Sequence, residues 1–175
     1  IGIVCFTLNP EYDTPEVLTE YVNKNTRYNT ADNWQFLTGD KSVIDKIIEE
    51  EFLITRDSID PGNIATLWLV DANGYLRGVY HAASEDALRD ATEDIALLKK
   101  EMDVLEHARR KEVENVEQLT SDRNTPPVLG PEGHTIPPFS FMGIDSVEIS
   151  NRDLEGRIKI VDYFFTNCPT ICPIL

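Results

Sequence analysis

The last fifteen residues, 161–175, constrain the fold of this chain more than any other stretch. An apolar run there leads directly into two cysteines, Cys168 and Cys172, each followed by a proline. Proline is tolerated in the first turn of a helix, because its missing N–H would have no partner there. The chain is therefore predicted to pass from a strand into a helix across the cysteines, with both thiols near the helix N-terminus.

This predicted position defines the chemistry of the two cysteines. The partial positive charge at a helix N-terminus stabilises a thiolate, and thiolates attack disulfides and bind soft metals such as copper(I). The sequence therefore predicts a redox or metal site at Cys168 and Cys172. Cys5 differs, since it lies inside an apolar run over residues 1–8, and we expect it to be an inert core residue.

The composition limits the class of protein. A chain of 175 residues with 41% hydrophobic and 27% charged residues suits one ordinary globular domain. Its net charge of -15 argues against a nucleic-acid partner, whose phosphates would be repelled. Three cysteines do not make a disulfide scaffold. No signal peptide and no apolar span of the ~20 residues that a membrane helix needs is evident, so we expect any membrane tether to lie outside this sequence.

Apolar periodicity predicts an α/β fold with a mixed central sheet. Predicted strands cover residues 1–8, 34–37, 67–71, 75–80, 139–141, 147–149 and 157–165. Predicted helices start at Thr14, run from Ser42 to about Phe52, and run from Ser84 to Met102. Asn73-Gly74 is a strong hairpin signal between two of the strands. Residues 103–138 are charged and then proline-rich, and we interpret them as a linker. Within it, residues 106–118 are a solvated helix or a linker, and residues 120–138 are a tether or a wrapped loop.

Several segments together resemble the Sco/SenC family of copper-handling proteins. They are residues 162–173 (DYFFTNCPTICP), 6–16 (FTLNPEYDTPE), 34–40 (WQFLTGD) and 69–78 (LVDANGYLRG), and residues 129–141 are similar to the family's lead-in to its first strand. The resemblance implies a thioredoxin-like mixed sheet flanked by helices, with an extra β-hairpin. It also implies an extracytoplasmic protein that faces the periplasm or the intermembrane space and is usually tethered to a membrane.

The order of these segments departs from the family. There the cysteine segment precedes the strand that here begins at Ile1, and a helix lies between them. The chain is therefore interpreted as a circular permutant or as a window across two tandem copies. Residues 1–102 would be the C-terminal portion of the fold, 139–175 the N-terminal portion, and 103–138 the linker. Because the intervening helix is missing, we expect a neighbouring chain or a further segment to cover the sheet, as in a homo-oligomer or domain swap.

The resemblance also implies a histidine ligand that this chain lacks. Family members bind copper with two cysteines and one histidine, and the histidine position falls near Asn63. An amide is a poor ligand for copper(I). His81 is the substitute that we predict, so the predicted metal set is Cys168, Cys172 and His81. His134 and His107 are weaker candidates.

Two functions follow from these residues. By resemblance, the protein would carry copper(I) and pass it to the binuclear copper site of cytochrome c oxidase, on the subunit that holds this site, or to another cysteine-bearing client. Alternatively, it is a metal-free thiol–disulfide oxidoreductase in which Cys168 attacks and Cys172 resolves. A third hypothesis is a binding module that keeps the fold and only docks a partner.

Three polar residues near the cysteine segment complete the predicted site. Asp13 belongs to a loop that the family shares, and we interpret it chiefly as a residue at the start of a helix. Asn9 stands where the family commonly has aspartate. Asp162 lies six residues before Cys168 and is either a buried proton acceptor with a raised pKa or a simple carboxylate at the sheet edge.

Overall fold

The computed structural model of the chain describes residues 1–25, 33–51, 66–110 and 125–166. In these ranges a mixed sheet forms the centre of the molecule, with the strand order β4-β3-β7-β1-β2-β5-β6. The strands are β1 Gly2–Thr7, β2 Trp34–Thr38, β3 Thr66–Val70, β4 Leu76–His81, β5 Ser140–Gly143, β6 Glu148–Ser150 and β7 Lys159–Phe164. The helices are α1 Pro15–Asn25, α2 Lys41–Lys46 and α3 Glu85–Arg110.

The C-terminal strand β7 lies in the middle of this sheet. It pairs in parallel with β1, where Cys5 is opposite Asp162, and antiparallel with β3, where Trp68 is opposite Val161. Strands β3 and β4 form the predicted hairpin, and Gly74 supplies the positive φ of +89° at its turn. The predicted α/β fold, with a thioredoxin-like mixed sheet, flanking helices and a hairpin, is confirmed.

Alternate residues of the strands bury side chains on opposite faces of the sheet, as the period of a strand requires. One face packs against α2 and the segment that follows it; its core includes Val4, Phe6, Leu37, Ile44, Ile48, Trp68, Phe141 and Val161. The other face packs against α1 through Leu18 and Tyr21, and against α3 through Leu98. Residues of this chain thus pack against both faces of the sheet, and the expectation of a homo-oligomer or domain swap stays a prediction.

Helix α2 differs from the sequence prediction at its ends. The N-cap of α2 is Asp40, whose carboxylate accepts hydrogen bonds from the backbone N–H groups of Ser42 and Val43. The predicted helix to Phe52 is α-helical only through Lys46 and continues as a π-helix over Ile47–Glu51; Phe52 itself lies outside the described residues.

The third helix is longer than predicted. It runs past Met102 to Arg110, so residues 103–110 of the predicted linker are helical. No helix within the described ranges is long and apolar enough to cross a membrane.

A buried ion cluster fastens the hairpin end of the sheet. Arg77 pairs with Asp71 at 2.8 Å and with Glu101 of α3 at 2.9 Å, and its Nε donates to the carbonyl oxygen of Pro126 at 2.9 Å. Burial lowers the pKa of Arg77, but hydrogen bonds to Glu101 and Asp71 raise it above its ordinary value. The cluster therefore joins the hairpin, α3 and the segment that begins at residue 125 into one packed unit.

Candidate functional site

One edge of the sheet collects the segments that the sequence predicts to be functional. The parallel strands β1, β2 and β7 all end there, at Thr7, Thr38 and Phe164. Strand β3 begins at this edge and β4 ends there at His81, because both run antiparallel to their neighbours. In open α/β sheets, ligands bind outside the carboxyl ends of the strands. We call this edge the cysteine edge, since the cysteine segment follows β7.

The two predicted cysteines, Cys168 and Cys172, lie outside the described residues, which end at Thr166. Covalent geometry nevertheless limits how far Cys168 can lie from this point. Two residues of extended chain span at most about 7 Å. The surroundings of Thr166 are therefore those from which the cysteine segment starts.

Asp13 holds the start of the cysteine segment. Its side chain is fully buried and accepts hydrogen bonds from the hydroxyl groups of both Thr7 and Thr166. The backbone N–H of Thr166 also donates to Asp13, over a longer distance of 3.4 Å. One carboxylate therefore joins the end of β1 to the residue just beyond β7.

The loop that carries Asp13 is ordered by its own backbone. The N–H of Asp13 donates to the carbonyl of Asn9 at 2.9 Å, and Thr14 caps α1 by accepting from the N–H of Val17 at 3.4 Å. The predicted start of the helix at Thr14 and Pro15 is confirmed. Asp13 is thus at the start of a helix, as expected, but its buried contacts with two threonines are an addition that the sequence did not predict.

Asp162 lies on β7, which has a neighbouring strand on each side and is not an edge strand. The interpretation of Asp162 as a carboxylate at the sheet edge is therefore wrong. Burial raises its pKa to about 7, although a hydrogen bond with the backbone of Tyr163 acts in the opposite direction. Its Oδ1 is buried and has no hydrogen-bond partner within the part of the chain that the structure describes. Such a carboxyl group can hold or release a proton near neutral pH. The role of proton acceptor in redox exchange stays a prediction.

The candidate histidines lie in different places. His81 is exposed at the end of β4, at the cysteine edge and two strands from β7, so it remains the predicted third ligand. The segment that carries His134 instead bonds to the hairpin turn at the opposite edge, where the N–H of Ile136 donates to Gly74. His107 is exposed on α3. Across the described ranges, no group of three histidine, cysteine or carboxylate side chains could hold a metal ion.

Cys5 has the environment of a core residue, as predicted. It is 2% exposed on β1, and its sulfur accepts a hydrogen bond from the indole N–H of Trp34 at 3.0 Å. The buried thiol lies on the same face as α1, in the cluster of Leu18 and Phe36.

Thr7 and Thr166 are the site residues that the sequence did not reveal. Thr7 ends the apolar strand β1, and Thr166 follows the apolar strand β7. Because threonine is common in strands, neither residue stands out from its neighbours in the sequence. The available signal was the parallel arrangement itself, which places the ends of two neighbouring strands side by side. An acidic residue in the next loop then has hydroxyl donors within reach.

Comparison with known proteins agrees with this geometry. The family model described as SCO1/SenC matches residues 1–120 and 129–175. The chain belongs to the SCO1/SenC family. The resemblance drawn from the cysteine segment and its companion segments is therefore confirmed, and the matched range includes both cysteines.

A curated relative supports the same family assignment over a shorter stretch. The "SCO1 protein homolog" of Bacillus subtilis (strain 168) is 40% identical over 46 residues, which are 26% of this chain and 24% of the relative. The chain thus spans about a quarter of the length of the curated relative that it matches. No solved structure matched the chain significantly.

Proposed function

We propose that this SCO1/SenC protein binds copper(I) through the thiolates of Cys168 and Cys172 and delivers it to the binuclear copper site of cytochrome c oxidase. The observation that carries the proposal is the family match, which covers the whole cysteine segment. The geometry of the cysteine edge is consistent with it, since the chain leaves β7 beside a fixed carboxylate. We place this activity in an extracytoplasmic compartment, on the same family grounds.

Copper transfer by this route is a ligand exchange. Thiolate is a soft ligand that suits copper(I), and two thiolates can hold the ion in a linear arrangement. A thiolate of the client displaces one protein thiolate from the metal, and a second displacement releases the ion. No electron changes hands, and each displaced thiolate remains on this protein. The acidic surface, with its net charge of -15, favours clients with a basic docking face.

His81 is the residue that we propose as a third ligand. It ends β4 at the cysteine edge, and its imidazole is a ligand type that copper accepts. With His81 bound, the site could hold copper(II) as well as copper(I), whereas two thiolates alone favour copper(I).

Thiol–disulfide exchange is the second candidate, and a specific residue favours it. The position of the family's copper-binding histidine falls near Asn63, which lies outside the described residues, and an amide is a poor ligand for copper(I). In this reaction the Cys168 thiolate attacks a client disulfide and forms a mixed disulfide, releasing one client thiolate. Cys172 then attacks Cys168, so that the client leaves as a dithiol and this protein holds the disulfide.

A copper(I) competition titration of the fully reduced protein, against a chelator of known affinity, tests the proposal. We expect one copper(I) per chain in the parent and loss of tight binding in Cys168→Ser. The matched control is Cys5→Ser, which removes the buried thiol but keeps an oxygen that can accept from Trp34. It should bind copper(I) like the parent.

The same titration separates the alternatives. Binding in the parent that is as weak as in Cys168→Ser would contradict the copper proposal and leave thiol–disulfide exchange as the working function. His81→Gln tests the third ligand, because a copper(II) spectrum unchanged by this substitution would remove His81 from the site.

A further inference from the structure

We propose that Asp13 is a positioning residue for the cysteine segment, and that it acts through Thr166 to set the direction in which the chain leaves β7. The inference rests on the proposed function in that Cys168 and Cys172 are taken as the reactive thiols. It holds for either copper binding or thiol exchange, since both depend on the placement of the two sulfurs.

The first support is the geometry of the contact. Thr166 donates to Asp13 twice, from its hydroxyl group to Oδ1 and from its backbone N–H to Oδ2. Two bonds to one planar carboxylate restrict both the side chain and the main chain of Thr166. A single bond would leave the main chain free to rotate. The restriction applies two residues before Cys168.

The second support is the burial of the carboxylate. Asp13 has no exposed surface, and a buried charge is unfavourable unless hydrogen bonds satisfy it. Among the described residues, the groups that donate hydrogen bonds to its carboxylate are the hydroxyl of Thr7 and both the hydroxyl and the backbone N–H of Thr166. Loss of the Thr166 contact would leave one carboxylate oxygen unsatisfied inside the protein. The folded chain therefore favours the conformation in which Thr166 stays in place.

The third support is that Asp13 is itself held firmly. Its N–H bonds to Asn9, whose own N–H donates to the Thr7 hydroxyl at 3.0 Å. Beside it, the N–H of Leu8 donates to the carbonyl of Phe164 at 2.8 Å, so the ends of β1 and β7 are also tied through the main chain. The end of β1, the start of α1 and the end of β7 therefore form one frame.

A frame of this kind has a measurable consequence for a bound metal. Residues that orient metal ligands without touching the metal typically change affinity by about 10- to 100-fold when they are removed. We expect Thr166→Val, which deletes the hydroxyl donor and keeps the shape, to weaken copper(I) binding by about tenfold. Thr166→Ser retains the hydroxyl group and should bind copper(I) like the parent. Asp13→Asn should resemble Thr166→Val.

Thr92→Val is the matched control for the substitution itself. It removes a threonine hydroxyl that donates to the carbonyl of Leu88 within α3, away from the cysteine edge. We expect it to leave copper(I) affinity within about twofold of the parent. Equal losses of affinity in Thr92→Val and Thr166→Val, or unchanged affinity in Thr166→Val, would overturn the positioning role.

A second readout keeps the inference testable if the protein does not bind copper. The equilibrium between reduced protein and oxidised glutathione, which gives the Cys168–Cys172 disulfide and two reduced glutathione molecules, depends on how the two sulfurs are held. We expect its constant to change by at least about threefold in Thr166→Val and to return to the parent value in Thr166→Ser. An unchanged constant in Thr166→Val and Asp13→Asn would overturn the inference. Absence of copper binding in the parent, with these shifts present, would instead contradict only the copper proposal.

Discussion

At the hairpin end of the sheet, the buried Asp71 contacts a guanidinium, whereas at the cysteine edge the buried Asp13 contacts two threonine hydroxyls and one backbone N–H. Asp71 lies just beyond β3 and its carboxylate contacts residues of its own hairpin, whereas Asp13 lies in the loop before α1 and contacts Thr166, which is distant in sequence. Asp71 also accepts from the N–H groups of Asn73 and Tyr75, so it shapes the hairpin turn as well.

The difference between the two ends lies in how the charge is balanced. Arg77 pairs with both Asp71 and Glu101, so one cation serves two carboxylates at the hairpin end. At the cysteine edge, neutral donors hold Asp13, and no basic side chain in the described ranges forms an ion pair with it. An ion cluster thus fastens the hairpin end, whereas hydrogen bonds from neutral groups hold Thr166 at the cysteine edge.

Removal of Arg77 should produce the largest effect on stability. Arg77→Met leaves the buried Asp71 and the partly buried Glu101 without their cation, which typically costs about 3–5 kcal/mol. Urea denaturation measures this loss. Arg89→Met is the control, because Arg89 and Asp86 form an exposed pair at 2.7 Å that contributes less than about 1 kcal/mol. A loss of the same size in both variants would remove the distinction between a buried and a surface ion pair here.

Asp162 on β7 is a third buried aspartate to compare with Asp71 and Asp13. No cation pairs with it in the described ranges, and its Oδ1 has no hydrogen-bond donor there. Its pKa is raised to about 7 in the folded protein, against about 3.9 for an unfolded chain. The folded state therefore retains a proton that the unfolded state loses. Its contribution to stability is fully present below about pH 4 and is lost as the pH rises through about 7.

Asp162→Asn should therefore be more stable than the parent above neutral pH, by about 4 kcal/mol at most, with the difference shrinking towards pH 4. Denaturation curves at several pH values measure this difference. Asp86→Asn, at an exposed position of α3, controls for the loss of one negative charge. A difference between Asp162→Asn and the parent that grows as the pH falls would contradict the assigned pKa shift.

The smallest expected effect is the coupling energy between Arg77 at the hairpin end and Thr166 at the cysteine edge. Thr166→Val should cost about 1–3 kcal/mol, because it leaves a buried carboxylate oxygen of Asp13 without a donor, and its effect should add to that of Arg77→Met within about 0.5 kcal/mol. A double-mutant cycle in urea gives the coupling energy. A coupling above about 1 kcal/mol would mean that the hairpin end and the cysteine edge stabilise each other through the sheet.

Much of the fold could be predicted from local patterns. The apolar runs at residues 1–8 and 157–165 became β1 and β7, and Asn73-Gly74 marked the hairpin correctly. The limits of the helices were less predictable. Ile47 and Ile48 of the π-helix over Ile47–Glu51 pack in the core, and periodicity does not report such a departure from α-helix. The extension of α3 to Arg110 continues through the exposed Glu106 and His107, where apolar periodicity gives no signal.

The candidate site was predictable only in part. The Cys-Pro repeat pointed to Cys168 and Cys172, and Asp13 was singled out for its place before Thr14 and Pro15. Its bonds to Thr166 join residues 153 positions apart, and no local pattern encodes such a contact.

By itself the sequence determined the order of the strands and helices along the chain, the hairpin turn and the family, while the roles of Cys168 and Cys172 stay predictions. Periodicity, turn residues and a short motif are local properties, and local properties can be read from a chain. The tertiary structure alone decided that Asp13 holds Thr166, that Asp162 is buried on an interior strand and that His134 lies at the opposite edge from β7. Burial and hydrogen bonding at these positions depend on which distant strands become neighbours, and that is a property of the folded sheet.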